Sequence, residues 1–144
     1  MKFKDKVVLI TGSSDNIGKA TAIKFAKEGA KIVINSIKNI AGGEAVAEEI
    51  KISGGEAIYV KADVSKQEGV DQLFGETLQA FNTLDILINN AGRAVSVPFL
   101  KTTEEHWLDL LRCNFLSTVL CSKEAAKIML QKGSGKIINT SSVR

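Results

Sequence analysis

The sequence predicts a doubly wound α/β fold built on a parallel sheet, and three observations carry that prediction. Short apolar, β-rich runs alternate strictly with longer stretches of helical periodicity. The runs are apolar throughout instead of alternating with polar residues, the pattern of strands covered by helices on both faces. The connection after the first run, "TGSSDNIG" at 11–18, is made mostly of small residues and opens directly into a helical pattern.

Five strands are expected, at 6–11 ("KVVLIT"), 31–36 ("KIVINS"), 56–62 ("EAIYVKA"), 84–90 ("LDILINN") and 135–141 ("GKIINTS"). Helical patterns fill 16–30, 40–55, 66–81 and 104–133. The last reads as one long helix, with Thr102 or Thr103 as its N-cap and Glu105 placed to close a capping box on Thr102. Gly29, Gly54, Gly55 and Gly133 stand where helices stop, and each can take the left-handed conformation a C-cap needs. Right-handed crossovers then order the strands 3-2-1-4-5, with the switch point between the first and fourth, so a ligand belongs at the carboxyl ends of those two strands. Pro98 falls in the one long connection, 92–103.

The 144 residues suffice for one domain or part of one. The net charge of +3 is spread among nearly as many acids, with no basic block, so nucleic acid is not implied. No apolar stretch approaches membrane-spanning length, and "MKFKDK" runs straight into a strand; a soluble, cytoplasmic protein with no membrane partner is expected. Cys113 and Cys121 lie eight positions apart in one helical pattern, about 12 Å at 1.5 Å per residue. That separation excludes a disulfide between them.

The motifs that carry chemistry sit at strand ends. "TGSSDNIG" lies where the switch-point rule puts a ligand and precedes a helix whose first N–H groups would face it, as phosphate binding requires. Gly12 permits the tight turn, Ser13 and Ser14 offer small hydroxyls, Ile17 an amide, and Gly18 a close approach; by itself such a loop is also consistent with a plain turn. Asp63 in "ADV" reads locally as a turn or cap residue, and the adjacent amides of Asn89 and Asn90 at a buried strand end need partners. Asn114, within a helical pattern, is a poor helix former. Ser141 and Ser142 close the fifth strand. His106 has no other ligand type beside it and reads as a surface or cap residue; no metal site is expected.

Taken in register, "TGSSDNIG", "ADV", "LDILINNAG", Asn114 and "INTSS" make the chain resemble the short-chain dehydrogenase/reductase family over its whole length, with 3-oxoacyl-acyl-carrier-protein reductases and glucose 1-dehydrogenases as the most similar groups. The resemblance implies a Rossmann-type sheet and a nicotinamide dinucleotide. By that likeness the loop residues Gly12, Ser14, Asn16, Ile17 and Gly18 bind the cofactor, together with Ser36, Asp63, Val64, Asn90, Ala91, Gly92 and Thr140. Asp63 would receive the adenine amino group, Ser142 would position a substrate carbonyl, and Asn114 would order a relay water. A small carbonyl or alcohol substrate and a homo-oligomeric full-length form are also implied.

Two departures stand out. Asn16 replaces the middle glycine of the family's loop; asparagine tolerates positive φ, but its side chain must turn away from the cofactor. The family's Tyr-x-x-x-Lys pair would lie beyond Ser142, and the only tyrosine, Tyr59, has no lysine four residues on. The sequence is therefore expected to be the N-terminal part of a longer enzyme, inactive alone, with a non-catalytic nucleotide-binding or interaction module as the alternative. Ser36 stands at the end of the second strand where NAD-preferring proteins carry an acid, and Lys38 is close by, which favours NADP with NAD as the alternative. Asp15 opposes that preference, because its charge would repel a 2′-phosphate.

Overall fold

The computed structural model describes residues 1–142. Five parallel strands form one sheet: β1 (Val7–Ile10), β2 (Lys31–Ser36), β3 (Glu56–Lys61), β4 (Ile86–Asn89) and β5 (Lys136–Asn139), ordered β3-β2-β1-β4-β5. Around them lie α1 (Asn16–Lys27), α2 (Ile40–Ile52), α3 (Gln67–Phe81), α4 (Glu104–Leu111) and α5 (Ser117–Lys132). This is the doubly wound, Rossmann-type order that alternation and crossover handedness require.

Successive strand residues point to opposite faces, and each face is buried by its own pair of helices. Val8 and Ile10, with Ile32, Ile34, Ile86 and Ile88, pack against Ala22 of α1 and Val46, Ala47 and Ile50 of α2. Val7 and Leu9, with Val33 and Leu87, pack against Val70, Leu73 and Phe74 of α3 and Cys121, Ala125 and Met129 of α5. That two-sided burial explains why the strands carry no polar alternation. Each fully buried Leu or Ile contributes roughly 2 kcal/mol. Exposed ion pairs such as Lys19–Glu49 contribute under about 1 kcal/mol, so the two apolar layers hold the fold. β5 is the exception: it is an edge of the sheet, and all four of its residues are exposed.

Helix ends agree with the punctuation in part. Gly29, Gly54 and Gly133 adopt positive φ, Gly55 does not, and α3 stops at Asn82 with φ 58°. The expected long helix is not continuous. It begins at Glu104 with Thr103 as N-cap, and His106, not Glu105, closes the capping box: the Thr103 N–H donates to His106 Nδ1 at 3.0 Å. It then passes through a five-residue π-helical stretch, Arg112–Leu116, before α5 begins.

Asp85, just before β4, staples three elements. Its carboxylate accepts from the Val7 N–H at 2.9 Å and from the ammonium groups of Lys132 and Lys6 at 2.5 and 3.4 Å. Burial pushes its pKa up, but the Lys132 and Val7 hydrogen bonds and the two lysine charges outweigh this and hold it below its ordinary 3.8. A carboxylate depressed in the folded state stabilises above its unfolded pKa and loses that contribution as pH falls through the folded value. Acid unfolding of the wild type is thus expected to steepen below about pH 4. Asp85→Asn, followed by circular dichroism, is expected to flatten that limb; an unchanged slope would show that Asp85 contributes nothing to it.

Candidate functional site

The loop between β1 and α1 is held from below by residues remote in sequence. The Ser13 hydroxyl donates to the Ile10 carbonyl at 2.6 Å and accepts from the Asn35 N–H at 3.1 Å, while the Ser13 N–H donates to the Asn35 carbonyl at 2.8 Å. Ser13 therefore serves the loop, not a ligand. Asn35, at the end of β2 and only 1% exposed, donates from its amide to the Val60 and Ala62 carbonyls at 3.2 and 3.1 Å and accepts from the Gly12 N–H at 3.4 Å. It ties β1, β2 and β3 together at their carboxyl ends.

From the other side Asn90 donates to the Thr11 and Gly12 carbonyls at 3.1 and 2.8 Å, and the Thr11 hydroxyl accepts from the N–H groups of Asn90 and Ala91, both at 3.0 Å. Both hydrogens of the Asn90 amide thus find partners. Asn89 donates to Ser122 and Asn139 at 3.0 and 2.9 Å, locking β4 to α5 and β5, while its own Oδ1 is buried without a partner. These bonds draw the loop tightly against the segment after β4 and the start of α1. A Cβ on Gly12 would lie 2.8 Å from Ala91 Cα, and one on Gly18 would collide with the Gly12 carbonyl.

Asn16 has φ 46°, the conformation the missing glycine would adopt, and its amide turns aside to the Asp15 carboxylate at 3.1 Å. No side chain caps α1, so the first amides of that helix are left to face an anion. A cleft of about 670 Å³ opens at the switch point between β1 and β4; Gly12 of the loop lines it, and Asn16, Ile17 and Gly18 do not. It is lined by Gly12, Ser36, Asp63, Val64, Ala91 and Gly92 among the expected residues. Its rim carries Lys38, Lys66, Arg93 and Arg112 against Asp63 and Asp109, a cationic balance.

Asp63 is also the turn residue its local sequence indicates: it accepts from the Ser65 N–H and hydroxyl at 3.1 and 2.6 Å. The buried Ser36 hydroxyl is engaged with the Asn39 carbonyl and the Tyr59 hydroxyl, both at 3.0 Å. Tyr59 is thereby accounted for as a strand residue. Ser14 is buried in the loop, and Ile17 is exposed at the start of α1.

Asn114 falls in the π-helical stretch. Its Oδ1 accepts from the Arg93 N–H and its Nδ2 donates to the Arg93 carbonyl, both at 2.8 Å, clamping the segment after Gly92 to the helix. The Arg93 guanidinium pairs with Asp109 at 2.7 Å. Cys113, beside Asn114, lines the cleft; Cys121 lies in the core, where burial pushes its thiol up to about 12. Both are free thiols. The Thr140 N–H donates to the Asn89 carbonyl at 2.9 Å, which directs the segment bearing Ser141 and Ser142 off the end of β5 alongside β4. Among the described residues no group of three or more His, Cys, Asp or Glu could hold a metal, and no helix is long and apolar enough to cross a membrane.

Thr11, Asn35, Asn39 and Arg93 were not legible as site residues. Only the polarity of Asn35 inside an otherwise apolar strand was a signal, because a buried amide demands partners.

Sheet order, the loop at the end of β1 and the cleft at the switch point define a Rossmann-type α/β protein. The family model described as short chain dehydrogenase matches residues 6–144, and the chain belongs to that family. A 3-oxoacyl-[acyl-carrier-protein] reductase of Synechocystis sp. is 42% identical over 138 residues, which are 96% of this chain and 56% of that protein. An uncharacterized oxidoreductase of Thermotoga maritima is 42% identical over 142 residues, 99% of this chain and 55% of that one. The chain thus spans little more than half the length of these curated relatives. Among solved structures, a double phenylalanine-to-leucine variant of a Serratia marcescens short-chain dehydrogenase/reductase superposes with a TM-score of 0.92 at 29% identity, over 99% of this chain and 58% of its own. A short chain dehydrogenase from Mycobacterium avium gives 0.90 at 29% identity, over 99% and 56%.

Proposed function

We propose that the chain is the cofactor-binding part of an NAD(P)-dependent oxidoreductase that interconverts a carbonyl and a secondary alcohol. The observation that carries this is the cleft at the switch point, bordered by Gly12 after β1 and by Ala91 and Gly92 after β4, beside a helix α1 whose amino end no side chain caps. The residues present fit a dinucleotide. Gly12, Asn16, Ile17 and Gly18 would receive the pyrophosphate, with buried Ser14 behind them; Asp63 and Val64 would flank the adenine; Asn90, Ala91, Gly92 and Thr140 would meet the nicotinamide ribose. When bound, the nicotinamide supplies or accepts the hydride.

The chain's own residues orient and exclude. Ser142 holds the substrate oxygen by a hydroxyl hydrogen bond. Both groups of the Asn114 amide are engaged by Arg93, and its main-chain carbonyl accepts from the Thr118 hydroxyl at 3.5 Å, so a relay water would share that carbonyl with Thr118, in the π-helical stretch. Protonation of the developing alkoxide needs an acid, and the 144 residues contain no Tyr-x-x-x-Lys pair. Ser36 without a carboxylate, and Lys38 beside it, support NADP. The protein acts on a small molecule, as a homo-oligomer in its full-length form, in the cytoplasm.

Titration of the chain with NADPH and NADH, monitored by nicotinamide fluorescence and followed by an assay on a ketoester, tests this. Binding without turnover is expected. Binding of neither dinucleotide overturns the assignment, and measurable turnover overturns the need for a tyrosine acid.

A further inference from the structure

Asp15 occupies the N-cap of α1 with extended backbone (φ −157°, ψ −178°) but makes no cap bond with its side chain. Aspartate is among the strongest N-cap residues, since its carboxylate accepts from the first helical N–H groups and is favoured at the positive end of the helix dipole. Here both oxygens are drawn elsewhere: Oδ1 accepts from Asn16 Nδ2 at 3.1 Å and Oδ2 from Asn39 Nδ2 at 3.2 Å.

Asn39 is itself fixed. Its Oδ1 accepts from the Gly42 N–H at 3.0 Å as the N-cap of α2, which leaves its NH₂ group to face Asp15. Its carbonyl accepts from the Ser36 hydroxyl at 3.0 Å, anchoring it to the end of β2. One amide therefore caps α2 with its oxygen and restrains the acid at the head of α1 with its nitrogen.

A carboxylate turned onto its own helix would take the amides that a pyrophosphate needs and would repel that anion as well. We propose that Asn39 is a positioning residue: it holds the Asp15 carboxylate off the amino end of α1 and so keeps that terminus open to the dinucleotide. This rests on the dinucleotide assignment made above.

The test is calorimetric titration of the 144-residue chain and its variants with NADPH and NADH. Asn39→Ser keeps an oxygen to cap α2 but lacks the amide that reaches Asp15. It is expected to weaken both dinucleotides alike, about tenfold, since the pyrophosphate is common to them. Adding Asp15→Ala to Asn39→Ser is expected to restore binding to within about twofold of wild type, a rescue that a merely structural loss at α2 would not show. Thermal melts of each variant confirm that the fold persists. Unchanged binding by Asn39→Ser, or no rescue by the second substitution, overturns the proposal. Absence of binding by the wild type is a different result and overturns the dinucleotide assignment along with it.

Discussion

Asn35→Ala is expected to lower stability by about 3 kcal/mol, because the Val60 and Ala62 carbonyls and the Gly12 N–H each lose a buried partner worth about 1 kcal/mol. For a chain of this size that corresponds to a drop in melting temperature of roughly 10 °C. The loop should loosen with it, since Gly12 is held from β2 only through this amide and the Ser13–Asn35 pair. Differential scanning calorimetry reads the first effect and amide hydrogen exchange at Gly12 and Ser13 the second. A variant that melts within a degree of wild type would show that water replaces the side chain without cost. Asn35→Asp keeps the volume and the acceptor for Gly12 but sets a buried carboxylate oxygen against the Val60 and Ala62 carbonyls, so it should be at least as damaging as alanine.

Gly18→Ala is expected to abolish high-affinity dinucleotide binding with smaller effect on the fold. The added methyl would meet the Gly12 carbonyl, Ser13 Cα at 2.7 Å and Asn90 Nδ2 at 2.8 Å, and the first two are backbone that cannot swing aside. Overpacking of this kind costs about 1–3 kcal/mol. Relief comes by moving the loop away from α1, the geometry the pyrophosphate requires, so affinity for NADPH should fall about 100-fold. Fluorescence titration beside a thermal melt distinguishes this from unfolding. Tight binding by Gly18→Ala would mean that the phosphates do not rest on this loop.

Much of the architecture was legible before any coordinates. Strand order, the two helical layers and the place of the cleft follow from apolar periodicity and from the handedness of crossovers, which are local or topological properties of the chain. Asn16 in positive φ was readable for the same reason: few residues with a side chain tolerate that conformation, and asparagine is one. The long helix was not. Its periodicity runs on through Arg112–Leu116, and the long-range bond pair at the π-helical stretch, between Asn114 and the Arg93 backbone, joins residues 21 positions apart.

The same limit governed the loop. The residue types alone gave Ser13 and Ser14 the same small hydroxyl, and only the family likeness singled out Ser14; the folded chain commits Ser13 to Asn35, 22 positions away, and Thr11 to Asn90, 79 positions away. The sequence alone determined the layers, the switch point and the family, because these depend on residue pattern along the chain. Only the tertiary structure decided which polar groups face the cleft and which bind the loop together. Those hydrogen bonds join strand ends that become neighbours when the sheet closes, and no local pattern records them.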